Sequence, residues 1–207
     1  NSNSTPLEKV KAYLSCHERD RVPDQELLFG NKSNFSWNII YNSLLPYFDN
    51  PLSRLDQVFL ADYNGKLLYN FNPVNTSIAK SFDIKLLTPL LNNNLISYGL
   101  RIPNKFKYDP THNIGKLPLR DLLVKYKADS LISKEKLGFN VNTVNLWKST
   151  GHSKCKEFFD NARIVQDNWI SNEWIEKYID REDLDIKYIN KFLGLLAFEI
   201  WYRLFIT

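Results

Sequence analysis

Apolar residues in this sequence recur at intervals of three and four almost throughout, and rarely at intervals of two. Spacing of three and four keeps side chains on one face of an α-helix, whereas a half-buried strand needs strict alternation. This feature argues against a sheet-dominated fold and predicts a mainly α chain with at most one short pair of strands. The closing stretch Tyr188–Phe205 is the clearest instance, with Phe192, Leu196, Ile200 and Leu204 on one stripe. These four, together with Leu55, Val58, Phe59 and Trp201, are expected to be buried. On the same helix Glu199 and Arg203 stand four apart, a spacing that predicts a surface ion pair contributing a few tenths of a kcal/mol.

Capping and breaking residues mark where the helices begin and end. Thr5-Pro6-Leu7-Glu8 reads as a capping box with proline at the first helical position. Asp24–Phe29 is a short helical turn closed by Gly30, and Ser36–Leu45 is an amphipathic helix that Pro46 should end or kink. Leu52–Asn70 is expected to form two helical pieces, interrupted at Asn64-Gly65. Asn93–Leu100 is a short helix with the Asn92-Asn93-Asn94 run at its start. With no internal repeat and no evident linker, residues 1–207 are expected to form a single helical unit.

Composition narrows the partners. Hydrophobic residues make up 43% and aromatics 14%, which places the chain among folded proteins. The net charge of +4 is spread among acidic residues, so it suits a small anionic ligand and falls short of a nucleic-acid surface. Cys16 and Cys155 are far apart with no metal-type spacing, so a reduced, cytoplasmic protein is expected and a disulfide framework is not. The most apolar stretch, Phe192–Phe205, is shorter than the ~20 residues of a membrane span and contains Glu199 and Arg203. The polar start, Asn1 to Pro6, does not look like a secretory signal. His17 and Asp20 lack further ligands at metal spacing and read as a solvated charge run.

The chemistry points to Gly115-Lys116-Leu117-Pro118-Leu119-Arg120, followed after a helical run by Lys134-Glu135-Lys136-Leu137-Gly138-Phe139. Two cationic loops bracketing one short helix suit a phosphate-bearing ligand. An ammonium is a compact point charge for phosphate oxygens, and a helix start adds N–H donors and a positive dipole end. Lys116 and Lys136 as solvated surface lysines is the competing reading, and spacing alone leaves both open. His112 is the only histidine near this loop. It is set aside as a catalytic group because no nucleophile or acidic orienter stands at a suggestive spacing.

Lys116-x-x-Leu119-Arg120, then Lys136-x-Gly138-Phe139, then Trp147, in that order, resembles the C-terminal part of the synthetase domain of the asparagine synthetase family. The resemblance extends upstream over Leu55–Leu91 and downstream to Leu196–Phe205. Thr88-Pro89-Leu90-Leu91-Asn92 resembles that family's V-P-F-L-D segment. The family's glutamate and arginine ahead of the proline are replaced here, by Lys85 and Leu87 or, with a shift, by Asp83 and Lys85. What the resemblance implies is the helical C-terminal portion of an ATP-pyrophosphatase-type α/β domain. It also implies aspartate and ATP as ligands, Mg²⁺ with the nucleotide, and amidation through an acyl-adenylate. Lys116 would be catalytic and would contact the pyrophosphate; Arg120, Lys136 and Gly138 would complete the nucleotide site, with Arg120 holding the loop. The family's S-G-G-x-D-S nucleotide loop does not occur in this sequence. A nucleotide-loop segment or a glutaminase is therefore the expected partner, with neither nucleic acid nor membrane. The alternative is a non-catalytic helical binding or interaction module built on the same scaffold.

Overall fold

The computed structural model describes residues 4–17, 21–133 and 142–206. Helix accounts for 69% of the described residues. In chain order the α-helices are α1 (Pro6–Ser15), α2 (Gln25–Leu28), α3 (Trp37–Phe48), α4 (Arg54–Ala61), α5 (Asn72–Ser81), α6 (Asn93–Arg101) and α7 (Leu117–Lys125). They continue with α8 (Thr143–Leu146), α9 (His152–Phe159), α10 (Arg163–Gln166), α11 (Asn172–Tyr178) and α12 (Ile186–Phe205). Among the described residues the only sheet is one antiparallel pair, β1 (Tyr108–Asp109) and β2 (Ile114–Gly115). The mainly α expectation holds, and the helical content is that of the helical portion of a synthetase domain. Contacts group the chain into two compact units, Asn1–Lys9 with Leu44–Gly138, and Val10–Ser43 with Phe139–Thr207.

Local signals set most boundaries. Thr5 and Glu8 form the expected capping box: Glu8 N–H donates to Thr5 Oγ1 at 3.3 Å and Thr5 N–H to Glu8 Oε2 at 2.8 Å. Asn92 caps α6, its Oδ1 accepting from Asn94 N–H at 3.0 Å. Two breaks do not occur where the sequence suggests. Pro46 lies inside α3, which runs on to Phe48. The proline removes the N–H that would bond Asn42 O, yet the helix runs on, and Asn50 Nδ2 takes up the Pro46 and Tyr47 carbonyls at its C-terminal end. At Asn64-Gly65 the helix widens to π-helical winding over Asp62–Phe71 and then passes into α5, giving one run from Arg54 to Ser81. Asn64 Nδ2 donates to Leu60 O at 2.9 Å, so its amide bonds the helix instead of interrupting it.

In the first unit, Ser53 caps α4 by accepting from Asp56 N–H. Asp56 in turn fastens the segment that leads to the β-pair. Asn104 Nδ2 donates to Asp56 Oδ2 at 2.9 Å, and Lys107 Nζ lies 3.5 Å from Oδ1. Burial works to raise the Asp56 pKa, but hydrogen bonds from Ser53 and Asn104 and the charge of Lys107 outweigh it and hold the carboxyl below its ordinary value. Leu55 and Val58 are half-buried and Phe59 is exposed, so the fully buried side of α4 is instead Gln57 and Ala61. Gln57 Nε2 donates there to Asn50 O at 2.9 Å, while its Oε1 is buried without a partner.

In the second unit the core is aromatic. Phe192 is fully buried, with the Trp174 and Trp147 rings 5.3 and 5.4 Å from its own. Trp147 is thus a packing anchor. The chain after α2 is pinned to the α10–α11 connection. Gly30 N–H donates to Trp169 O at 2.9 Å, Ser171 N–H to Leu28 O at 2.8 Å, and Phe29 bridges Ile170. Only glycine fits at position 30, because a Cβ there would stand 2.1 Å from Asn168 O.

The buried face of α12 is not the expected one. Ile189, Phe192, Leu195, Glu199 and Tyr202 are inside. Leu196 is half-buried, and Ile200, Trp201 and Leu204 are exposed. Glu199 supplies the reason. Ala162 cannot cap α10, so the Glu199 carboxylate reaches across and accepts from the N–H groups of Arg163 and Ile164 at 2.9 and 3.0 Å. Arg203 also donates to this carboxylate, and its Nη2 bonds the Phe158 and Asn161 carbonyls that end α9. The predicted surface ion pair is a buried tie between three helices, and it turns the helix about its axis.

Candidate functional site

The lysine loop lies in the first unit, on the far side of the β-pair. Tyr108 pairs with Gly115 and Asp109 with Ile114, and Leu117 N–H closes the base of the hairpin on Lys107 O at 3.3 Å. Lys116 follows directly, at the start of α7, with φ 60° and ψ 33°. A non-glycine residue in this left-handed region carries strain and persists only where neighbours enforce it. Arg120 is that neighbour: one turn on, its Nε donates to Gly115 O at 3.0 Å. This explains the four-residue spacing of lysine and arginine, since the arginine clamps the carbonyl just ahead of the lysine. Lys116 itself is exposed.

The N–H groups expected at the start of α7 are already used. Leu117 N–H bonds Lys107 O, Pro118 has none, and the Leu119 and Arg120 N–H groups both turn back to Lys116 O at 3.0 and 3.1 Å. Any anion here meets the Lys116 ammonium and the helix dipole, not a row of free amides. The first turn of α7 also walls a cleft of about 430 Å³ with the end of α6. Tyr98 and Phe106 give that cleft its aromatic surface, while Arg101, Lys105 and Asp121 stand on its rim.

His112 has the acidic orienter that the sequence seemed to lack. Its Nδ1 donates to Asp109 Oδ2 at 2.6 Å, while Asp109 Oδ1 accepts from Thr111 N–H at 2.9 Å. The His112 hydrogen bond holds the Asp109 carboxyl below its ordinary value. The readable signal was Asp109-Pro110-Thr111-His112, an aspartate at the first position of a turn with proline second. Lys136 and Gly138 lie outside the described residues. Asp20 does too, and His17 Nδ1 bonds Tyr13 O at 2.8 Å. Among the described residues no three His, Cys, Asp or Glu side chains gather as a metal site. Cys16 and Cys155 are free thiols, and burial pushes the Cys155 pKa up to about 12. Among the described residues no helix is long and apolar enough to cross a membrane.

The sequence profile of the asparagine synthase family matches residues 9–203, nearly the whole length. No curated protein and no solved structure shows significant similarity.

Proposed function

We propose, from the premise that this chain belongs to the asparagine synthase family, that it is the lysine-bearing helical part of an enzyme that amidates aspartate. The observation that supports this most directly is the clamp of Arg120 on Gly115 O, which fixes Lys116 in a strained conformation at the start of α7. The reaction has two steps. An oxygen of the aspartate side-chain carboxylate attacks the α-phosphorus of ATP, forming the acyl-adenylate and expelling pyrophosphate. Ammonia then attacks the acyl carbon, AMP leaves and a proton is lost. Lys116 acts in the first step. Negative charge grows on the departing pyrophosphate, and a fixed ammonium stabilises that transition state more than the ground state.

Arg120 works through Lys116 and does not touch substrate. Lys136 is proposed to close over the nucleotide, with Gly138 as part of the same nucleotide site. Mg²⁺ would arrive with the ATP phosphates and offset their charge, and no step here is routed through it. The nucleotide loop would come from a segment outside this sequence. The test uses aspartate labelled with ¹⁸O in its side-chain carboxylate and the complete enzyme. One labelled oxygen should appear in AMP as asparagine forms. Asparagine formed with unlabelled AMP would overturn the acyl-adenylate.

A second reading, a non-catalytic helical module on the same scaffold, is favoured by the absence of an S-G-G-x-D-S run from the 207 residues. Under it, adding a sheet-bearing partner that carries the loop produces no asparagine.

A further inference from the structure

The cleft beside the lysine loop carries both signs of charge. Among its lining residues Arg101 and Lys105 are cations and Asp121 is an anion. Arg101 is the last residue of α6, and Asp121 lies within α7. Both are exposed, and among the described residues neither forms a hydrogen bond or an ion pair, with the other or with any third group. A guanidinium and a carboxylate that wall one cleft without pairing leave it a positive side and a negative side. Lys105 adds a second positive charge, its ammonium 5.0 Å from the centre of the Phe106 ring. Tyr98 and Phe106 supply apolar surface, beside which water screens such charges less. Leu117 and Pro118, the two residues after Lys116, complete the wall, so the cleft adjoins the proposed catalytic lysine.

We propose that this cleft seats the L-aspartate of the amidation reaction, Arg101 holding the α-carboxylate and Asp121 the α-ammonium. The choice of aspartate rests on the reaction proposed above, and the charges support it. An amino-acid head group has one cation and one anion, the complement of Asp121 and Arg101. The guanidinium fork suits a carboxylate, to which it gives two parallel hydrogen bonds. Two cations against one carboxylate leave the lining with one positive charge in excess, and aspartate carries one negative charge in excess. With its head group held, the side-chain carboxylate stays free to attack the α-phosphorus. The volume of about 430 Å³ exceeds that of aspartate and leaves space for the phosphate it attacks.

The test is a titration of the ¹⁵N-labelled full chain with L-aspartate, followed through the amide signals of α6, the β-pair and α7. Succinate, which lacks the ammonium, and β-alanine, which lacks the α-carboxylate, are the comparison ligands. L-Aspartate should bind saturably with a Kd of about 1 mM, and each comparison ligand about three- to fivefold more weakly, the size of one exposed ion pair. Arg101→Gln should weaken aspartate by about as much and erase its advantage over β-alanine, while keeping that over succinate. Asp121→Asn should do the reverse. Both side chains are exposed, so circular dichroism should stay unchanged. No saturable binding, no effect of either variant, or variants that weaken all three ligands alike would overturn the site. No chemistry occurs in the titration, so it fails separately from the ¹⁸O test. Failure here with labelled AMP still forming removes this cleft and keeps the amidation; aspartate binding with unlabelled AMP keeps the cleft and removes the acyl-adenylate.

Discussion

Glu199 and Arg203 show what residue-level reading captures and what it misses. Their spacing of four correctly gives an ion pair. Their burial is invisible to periodicity, which counts a glutamate as polar and assigns it to solvent. The acceptor that α10 needs is supplied from 36 positions along the chain, by Glu199 Oε1 to Arg163 N–H. Glu199→Ala should therefore cost about 3–5 kcal/mol in chemical denaturation, because it leaves two amides and an arginine without their buried partner. Leu204→Ala, at a residue 69% exposed, should stay within about 0.5 kcal/mol. The reverse order would restore the stripe read from the sequence.

Asp24 makes a second tie across the chain, half-buried where Glu199 is fully buried. It accepts from the Tyr178 hydroxyl, and Lys177 Nζ lies 3.4 Å away. Burial works to raise its pKa, but hydrogen bonds, led by Tyr178, bring it below the ordinary value. A carboxyl with a depressed folded pKa stabilises the fold above its unfolded pKa, and that contribution is lost as pH falls through the folded value. Asp24→Asn should therefore lower stability near neutrality and flatten the acid limb of a stability–pH curve. An acid limb that keeps its slope would remove Asp24 as its source.

At the scale of elements, the signals that worked were local. Thr5 with Glu8 and Asn92 with Asn94 are caps that a helix end requires wherever it sits, so their sequence pattern suffices. The signals that failed were breakers. Proline and Asn-Gly state a local cost, but whether the chain breaks depends on the surroundings: Asn64 bonds the Leu60 carbonyl within the run, and Asn50 takes up the carbonyls at the end of α3. Glycines divide in the same way. Gly30→Ala would push a Cβ into the Asn168 carbonyl, and should cost about 1–3 kcal/mol and loosen the Phe29–Ile170 bridge. Gly194→Ala meets open space in a helix interior and should stabilise by about 0.5–1 kcal/mol. Thermal melts of the two variants should shift in opposite directions. Shifts of the same sign would contradict these environments.

At the scale of the whole molecule, helix content and family were legible because both rest on ordered patterns in the sequence, the three-and-four spacing and the lysine, glycine and tryptophan motifs. Which faces are covered was not. Leu68, Phe71, Val74, Ile78 and Phe82 form a helical stripe, yet all five are exposed. Periodicity shows that a face is apolar and says nothing of what covers it. Of the candidate site, the hold of Arg120 on the loop ahead of Lys116 was legible, its Nε donating to Gly115 O. The used amides of α7 and the Asp109–His112 pair were not, because both depend on how the chain folds back across the β-pair. The measurement that tests the account most directly is aspartate-dependent pyrophosphate release at saturating ATP, comparing the complete enzyme with its Lys116→Ala variant. The account predicts an intact fold and a rate lower by about a hundredfold or more, the scale of one lost transition-state contact. Pyrophosphate release at the unaltered rate would contradict it, removing Lys116 from the chemistry and leaving the chain a scaffold.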